Sequence, residues 1–259
     1  MSGLSRYVDV LRLFGESRSE WTVPDISEAM GVPASTVYRT VRELVAENFL
    51  EASTEANYRL GPAFIEFDRL IRLTDPLAAI GTSLLRECAL QARVPCAAVL
   101  ARLYGDTVMC VADATTKDAA IPTSYERGRP RPLLQGATSK VILAQLPTRK
   151  LTRLLEGHVP RRKFEPTTEE LREQLAAVRK RGYCVTRGEV DKGLMGIAAP
   201  VTLPERGLVA SLSVIVEAAA VDDAVERRLV LLVVSTASLL TEELKRIAVP
   251  DAAGRRAVS

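Results

Sequence analysis

The sequence of 259 residues is poor in the side chains that build metal sites. It has one histidine, His158, and four cysteines that never occur at a CxxC spacing. Zinc and other transition metals need several such ligands close together, so we expect no metal site. His158 lies in a polar loop, where a surface histidine is more common than a general base. The cysteines lie mostly in apolar segments, and we expect buried thiols rather than a disulfide framework.

Signatures of common enzyme classes are also missing. The chain has no GxSxG and no GxGxxG, and Ser139-Lys140 lacks the Ser-x-x-Lys spacing of acyl-enzyme families. The segment 136–140 lacks the second glycine and the spacing of a phosphate-binding P-loop. We therefore predict that the protein is not an enzyme, with no catalytic residues and no cofactor.

Long apolar runs are absent although 47% of the residues are hydrophobic. No stretch reaches the roughly 18 apolar residues that a membrane span needs. The N-terminus, MSGLSRYVDV, lacks the basic start and apolar centre of a signal peptide. We expect a cytoplasmic protein with no membrane partner, long enough for one small and one larger domain.

The most informative pattern that is present is a helical hairpin within residues 22–50. Thr22 can cap a first helix together with Asp25, and Gly31 can end it in a left-handed conformation. Pro33 suits the first turn of the next helix. That helix has an inward apolar stripe of Val37, Val41, Leu44 and Val45. Its other face carries hydroxyls, an aromatic ring and arginines, as in a DNA recognition helix.

The flanking segments extend the hairpin to a winged helix-turn-helix domain, which we place at residues 1–61. An amphipathic helix precedes it, and two short strands around a polar loop follow it as a wing. The residues predicted to lie nearest the bases and phosphates of DNA are Ser35, Thr36, Tyr38 and Arg39. The residues predicted to contact the DNA backbone are Arg42 and Arg59.

The first 60 residues contain no lysine, and their six arginines are outnumbered by nine acids. This acidic balance disfavours a strong monomeric DNA binder, since neutralisation of phosphates dominates nonspecific affinity. Two interpretations follow. Either two copies bind a double-stranded DNA operator with their arginines on one face, or the protein is a small-molecule sensor that acts through protein partners.

The remainder of the chain divides into three parts. Residues 62–76 form an amphipathic linker helix, whose apolar stripe packs on its own domain or on a second subunit. Residues 77–248 alternate helices and hairpin strands, which predicts an α+β domain with a mostly antiparallel sheet. In it, a short helix is expected to start at Ser139. Residues 249–259 are expected to be a disordered tail.

The order of these parts resembles the IclR-type bacterial transcriptional regulators. The resemblance rests on STVYRTVREL, YRLGP, GRPRPLLQGATSKVILAQLP, VRKRGYCVTRGEV, and GLMGIAAPV followed by LVASLSV. It implies a winged helix-turn-helix domain, a dimerising linker helix and a GAF-like effector-binding domain. It also implies dimers or dimers of dimers that repress or activate genes of small-carbon-compound metabolism.

The resemblance further implies an effector site beside the short helix. The positions that match the family's effector pocket are Gly136, Ala137, Thr138, Thr186, Gly196, Ser213 and Ile215. The family often has an acid, a cysteine and a second serine where this chain has Thr186, Gly196 and Ile215. This less polar lining favours a bulkier or partly aromatic acid over small keto acids. We expect a ligand-responsive regulator of catabolic or transport genes that binds a near-palindromic operator.

Overall fold

The computed structural model describes residues 3–54, 56–116, 121–131, 133–156 and 166–248. The chain divides into two compact units between Thr74 and Asp75. The loop of His158 and the tail predicted to be disordered at 249–259 lie outside the described residues. Within the described part of the chain, no helix combines the length and apolarity needed to cross a membrane.

The first unit is a winged helix-turn-helix followed by one more helix, which confirms the predicted fold class for this part. Its elements are α1 (Gly3–Leu11), β1 (Trp21–Thr22), α2 (Val23–Met30), α3 (Ala34–Ala46), β2 (Leu50–Ala52), β3 (Asn57–Leu60) and α4 (Ala63–Thr74). The strands form an antiparallel sheet in the order β1-β3-β2. The strand β1 was not predicted, because two residues are too short to show an alternating pattern.

The signals at the ends of α2 act as the sequence indicates. The Thr22 hydroxyl accepts a hydrogen bond from the Asp25 N–H, and Gly31 has the left-handed φ of 63°. Buried apolar residues from α1, the segment after it, α2, α3 and β2 form one core. Its members are Val10, Phe14, Ile26, Val37, Val41, Leu44 and Leu50.

The second unit is built around one six-stranded sheet. Its elements are α5 (Pro76–Gln91), β4 (Cys96–Tyr104), β5 (Thr107–Thr115), β6 (Pro130–Arg131), α6 (Gly136–Ala144), α7 (Thr148–Leu155), α8 (Thr168–Arg181), β7 (Cys184–Arg187), β8 (Leu194–Leu203), β9 (Leu208–Glu217) and α9 (Asp223–Ala248). The strand order is β6-β5-β4-β9-β8-β7, and every pair is antiparallel. The predicted antiparallel sheet is confirmed.

Helices cover both faces of this sheet. The helices α5 and α9 pack on one face with Leu85, Leu212, Val214 and Leu240 in the core between them. The helices α6 and α8 lie on the other face, with a separate core. One expectation is wrong: α6 begins at Gly136 and not at Ser139. Residues 136–138 are helical although their sequence is not a good helix former, so the sequence pattern did not reveal this first turn.

All four cysteines are buried free thiols in the second unit, as we expected. Burial raises the pKa of Cys88, Cys96 and Cys184 to about 11. Burial raises the pKa of Cys110 to about 12. Because a thiolate is the reactive form of cysteine, these thiols are unreactive at neutral pH.

Candidate functional site

The helix α3 presents a polar face to solvent over a packed apolar face. Val37, Thr40, Val41 and Leu44 are buried, whereas Ser35, Tyr38, Arg39 and Arg42 are exposed and Thr36 is half-buried. The Tyr38 side chain is 57% exposed although it is a large aromatic residue. An exposed aromatic residue flanked by arginines indicates a surface for a partner.

The arginines of α3 are available to a partner. Within residues 3–54 and 56–74, neither Arg39 nor Arg42 forms an ion pair. Arg18, by contrast, is used inside the unit, since it pairs with Asp25 and its guanidinium lies 3.8 Å from the centre of the Trp21 ring. Two exposed arginines that can meet an external anion therefore lie close together on α3.

The position of α3 is held by polar contacts as well as by the core. The hydroxyl of Tyr7 on α1 donates a hydrogen bond to Glu43 on α3. The buried Thr40 hydroxyl donates to the carbonyl of Thr36 at 3.0 Å, so it needs no other partner. One of the acids of this unit is thus engaged away from the exposed arginines.

The wing carries the last predicted DNA contact, Arg59 on β3. Its Nε lies 2.6 Å from Oε1 of Glu51 on the neighbouring strand, and both side chains are largely exposed. A surface ion pair of this kind contributes little, about 0 to 1 kcal/mol. A phosphate can therefore replace Glu51 at small cost.

Gly61 follows the last strand of the wing. A Cβ atom at this position would lie 2.3 Å from the Asn48 carbonyl oxygen, so the close approach of the two backbones requires glycine.

A second group of predicted residues surrounds the start of α6. All nine residues of this helix are buried, including Thr138, Ser139 and Lys140. Gln135 provides no side-chain cap. The first N–H groups instead donate to other elements: Gly136 to Glu189 Oε2 at 3.0 Å and Ala137 to Thr186 Oγ1 at 3.0 Å. Acceptors from the β7 strand and the loop after it therefore satisfy the N–H groups at the N-terminal end of the helix.

The structure brings most of the predicted effector residues together. The hydroxyl oxygens of Thr138 and Ser213 lie 2.9 Å apart. Gly196 lies beside Thr186 and Ile215 in register across β7, β8 and β9. A Cβ atom on Gly196 would be 3.6 Å from both the Ala137 Cβ and the Thr186 Oγ1. These residues line the contact between α6 and the sheet.

Ile215 belongs to an apolar cluster next to this contact. The cluster contains Ala97, Val99, Cys110, Ile121, Tyr125, Leu194 and Ile215, with Val190 packed against it. Its members come from β4, β5, β8, β9, the segment before β6 and the β7–β8 loop. The predicted effector residues thus include a polar side around Thr138 and an apolar side around Ile215.

Three residues of this site were not predicted from the sequence. Lys140 is buried, and its Nζ lies 2.7 Å from Glu189 Oε1. Tyr125 is 5% exposed, and within the described residues its hydroxyl has no hydrogen-bond partner of good geometry. Burial raises the pKa of the Tyr125 phenol, and the nearby Thr138 hydroxyl lowers this pKa by a smaller amount.

Only one of these three residues gives a local signal. A lysine in the run Ser-Lys-Val-Ile-Leu-Ala is surrounded by apolar neighbours, and a buried lysine requires an anionic partner. Glu189 lies 49 residues after Lys140, and Tyr125 lies 11 residues before Gly136. Both are in segments of ordinary loop composition. Their meeting at α6 depends on the order of the strands.

Models of known families match both units. Residues 78–241 match a model described as the C-terminal part of the bacterial transcriptional regulator IclR. Residues 3–53 match the IclR helix-turn-helix domain. The first match alone covers more than half of the chain, and the two matches follow each other in the order of the two units.

Individual proteins agree with these models. The chain is 30% identical over 230 residues to the HTH-type transcriptional regulator XynR of Escherichia coli, covering 86% of this chain and 89% of XynR. It is similar to an IclR transcriptional regulator of Alicyclobacillus acidocaldarius, at 25% identity and a TM-score of 0.77 over 92% of this chain and 95% of that one. An IclR homologue of Microbacterium hydrocarbonoxydans, solved in complex with 4-hydroxybenzoate, has a TM-score of 0.78 at 22% identity, covering 94% and 99% of the two chains.

Proposed function

The chain belongs to the IclR family of bacterial transcriptional regulators, and from this premise we propose that it binds a near-palindromic operator as a dimer or tetramer. Members of this family are regulators and not enzymes, and the chain has their DNA-binding domain. In this proposal it controls catabolic or transport genes, and a small organic acid changes its affinity for the operator.

The observation that carries the proposal is the exposed face of α3. Tyr38, Arg39 and Arg42 project from a helix whose opposite face is packed in the core. We assign Ser35, Thr36, Tyr38 and Arg39 to the bases and nearest phosphates of the major groove. Arg42 and Arg59 contact phosphates, the latter after it leaves Glu51.

A second copy of the chain brings a second set of α3 arginines to the DNA and so doubles the phosphate contacts, although the first unit has an acidic balance. The helix α4 has a stripe of exposed apolar side chains that a second copy can cover. Its members are Phe64 at 38% exposure, Phe67 at 47%, Leu70 at 42% and Ile71 at 50%. In a symmetric dimer the two α3 helices lie one DNA turn, about 34 Å, or a multiple of it apart.

A charge placed in this stripe tests the dimer. We expect Ile71→Glu to lower the molar mass measured by light scattering, because burying a carboxylate in an apolar interface is unfavourable. Arg69→Glu introduces the same group on the same helix outside the stripe and should leave the mass unchanged. An Ile71→Glu protein that associates like the parent would place the interface elsewhere.

The effector is proposed to bind at the start of α6, against Gly136, Ala137, Thr138, Thr186, Gly196, Ser213 and Ile215. Helix N–H groups suit a carboxylate, and the apolar cluster around Ile215 suits a ring. The Microbacterium homologue that holds 4-hydroxybenzoate has the same fold. Together these features favour an aromatic acid over a short keto acid.

Thermal denaturation with a panel of acids tests the effector class. Aromatic acids such as 4-hydroxybenzoate should raise the melting temperature, since a ligand that binds only the folded state stabilises it. Pyruvate and glyoxylate serve as short keto acids of the same charge. Stabilisation by the short acids alone would reverse the assignment.

The DNA-binding function is tested by titrating the full chain with operator fragments while the salt concentration is varied. A regulator that contacts several phosphates loses affinity steeply between about 50 and 200 mM salt. The alternative function, a sensor that uses its winged helix for protein partners, is favoured by the excess of acids in the first 60 residues. It predicts no salt-dependent operator binding at any effector concentration.

A further inference from the structure

We propose that Glu189 is a built-in competitor of the effector, because its carboxylate occupies the anion position at the start of α6. In the liganded protein the carboxylate of the effector takes this position and displaces Glu189. The inference rests on the effector site described under the proposed function. It adds how the site is closed without ligand and which residue the ligand must replace.

The first observation is the way in which Glu189 is bound. One carboxylate oxygen accepts the Gly136 N–H at 3.0 Å, and the other lies 2.7 Å from Lys140 Nζ. A carboxylate ligand would use the same two donors, a helix N-terminus and a cation. The Lys140 side chain is 8% exposed and the Glu189 side chain 33% exposed.

This difference in exposure decides which partner can be exchanged. Lys140 is fixed within a buried helix, so it requires an anion beside it in every state. Glu189 lies in a loop at the rim, where water can solvate its carboxylate after it leaves. A second anion can therefore replace Glu189 without leaving a buried charge unpaired.

The second observation is the buried hydroxyl of Tyr125, which has the Thr138 hydroxyl nearby. Tyr125 is only 5% exposed, and within the described residues its hydroxyl has no hydrogen-bond partner of good geometry. It lies 3.0 Å from the place that a Cβ atom on Gly136 would take. A buried donor without a partner is costly. A ligand carboxylate that enters beside Gly136 supplies the missing acceptor.

The third observation is that Glu189 belongs to a loop that bridges two parts of the site. The loop, residues 188–193, connects β7 to β8. The neighbour of Glu189, Val190, packs against Gly136, and Asp191 accepts hydrogen bonds from the Ser124 N–H at 3.0 Å and the Ser124 hydroxyl at 2.6 Å. Gly188 and Gly193 at its ends have φ values of 65° and 80°.

These contacts link occupation of the site to the position of the loop. With Glu189 in place, the loop joins α6 to the segment of Ser124 and Tyr125. When an effector carboxylate displaces Glu189, the link to α6 is lost and the link to Ser124 remains. The effector then favours one of two loop arrangements, which is the difference in affinity that a signal requires.

The neighbours of the anion position define the ligand as a monocarboxylate with an apolar body. The carboxylate meets Gly136, Lys140 and Tyr125. Beside Tyr125 lies the apolar cluster that includes Ile121, Leu194 and Ile215. A second charged group on the ligand would have to enter this cluster and lose its hydration.

Chemical rescue tests the competitor role with the full chain. Glu189→Ala removes the partner of Lys140, so we expect a lower melting temperature that acetate and benzoate restore saturably. Acetamide and benzamide, which lack the charge, and chloride at the same ionic strength should not restore it. The matched control is Glu226→Ala, which breaks the rim ion pair of Glu226 with Arg187 on the same unit and should show no rescue.

A second variant tests the same inference if the Glu189→Ala protein does not fold. Glu189→Gln retains the size of the side chain and removes its charge, and we expect it to bind benzoate at least about tenfold more tightly than the parent by calorimetry, equivalent to about 1.4 kcal/mol. Tyr125→Phe should weaken benzoate binding without lowering the melting temperature of the unliganded protein.

The outcomes separate this inference from the proposed function. If the parent binds aromatic acids but Glu189→Gln gains no affinity and Glu189→Ala is not rescued, the competitor role is wrong and the effector class stands. If neither the parent nor Glu189→Gln binds any carboxylate, both the competitor role and the acid effector are wrong. The proposal that the protein binds an operator is tested separately and does not depend on either result.

Discussion

The helices α3 and α6 differ in how much of each is available to a partner. The α3 helix packs one face in the core and exposes the other, with Tyr38 57% exposed. The α6 helix is buried along its whole length of nine residues, and side chains from other elements bind both of its ends, Glu189 at the Gly136 N–H and Arg179 at the Ala144 carbonyl. A surface helix can meet a rigid external partner such as duplex DNA. A helix that is buried along its whole length offers no open face to such a partner.

The difference is most direct in the charges of the two helices. Arg39 and Arg42 form no ion pair among the described residues of the first unit, so they are free for phosphate or bases. Lys140 is paired with Glu189 in a setting where an unpaired charge is strongly disfavoured. In the proposed function, α3 therefore gains contacts with DNA without losing an ion pair, whereas an effector carboxylate at α6 would have to replace Glu189.

The largest effect that separates the two helices is expected from truncation of a buried side chain. Leu143→Ala should lower the free energy of unfolding of the second unit by about 2 to 5 kcal/mol, because Leu143 is fully buried and leaves a cavity. Tyr38→Ala on α3 should change stability by less than about 0.5 kcal/mol. Urea denaturation followed by circular dichroism compares the two, and similar losses would remove the distinction.

The next effect concerns operator affinity. Arg39→Ala should weaken operator binding by about 1 to 3 kcal/mol if Arg39 reads a guanine, with the loss confined to the specific sequence. A loss on all sequences alike would assign it to phosphate instead. Fluorescence anisotropy measures both. Arg12→Ala, which removes an exposed arginine of the same unit outside α3, should have little effect.

A buried hydroxyl pair tests the second site at a similar or smaller magnitude. Thr138→Val leaves the Ser213 hydroxyl buried without a partner and should cost about 1 to 3 kcal/mol of stability. The double variant Thr138→Val, Ser213→Ala should recover part of this loss, since both polar groups are then gone. Ser35→Ala on α3 removes an exposed hydroxyl and is expected to be neutral. Additive losses at 138 and 213 would contradict the pairing.

The smallest effect per group is the response to alkaline pH. The unfolded thiols ionise near their ordinary pKa of 9.0, whereas burial raises the pKa of the folded thiols to about 11 or 12. Above pH 9 the unfolded state therefore binds fewer protons, and stability falls as pH rises through 11. At pH 10 we expect a loss of about 1 kcal/mol for each thiol.

This loss should be limited to the second unit. All four cysteines lie after residue 75, and the single tryptophan, Trp21, lies in the first unit. Tryptophan fluorescence therefore follows the first unit, and circular dichroism follows both. An equal alkaline shift of both transitions would mean that the two units unfold together, and no shift of either transition would mean that the thiols are accessible in the folded protein.

The sequence predicts α3 better than α6 for a physical reason. In α3 the apolar residues Val37, Val41 and Leu44 recur at helical spacing because only one face is buried, and this pattern identifies both faces. In α6 every face is buried, so no period appears and the start of the helix was placed three residues too late. Glycine at 136 is also a weak helix former, and its N–H is satisfied from outside the helix.

The effector residues show the same division. The resemblance to the IclR family led to Gly136, Ala137, Thr138, Thr186, Gly196, Ser213 and Ile215, whose roles stay predictions. No local pattern indicates Tyr125 or Glu189, since each lies in a loop whose composition is ordinary. Their significance comes from contacts between segments that are far apart in the chain, such as Glu189 with Gly136.

The amino-acid sequence alone determined the winged helix-turn-helix, the outward face of its recognition helix and the antiparallel class of the second unit. It did so because caps, turn glycines and amphipathic periods act over a few neighbouring residues. Only the tertiary structure decided that Glu189 pairs with Lys140, that the Tyr125 hydroxyl is buried and that α6 is enclosed. Burial and pairing of charges are properties of the packed strands and helices, and no single segment contains them.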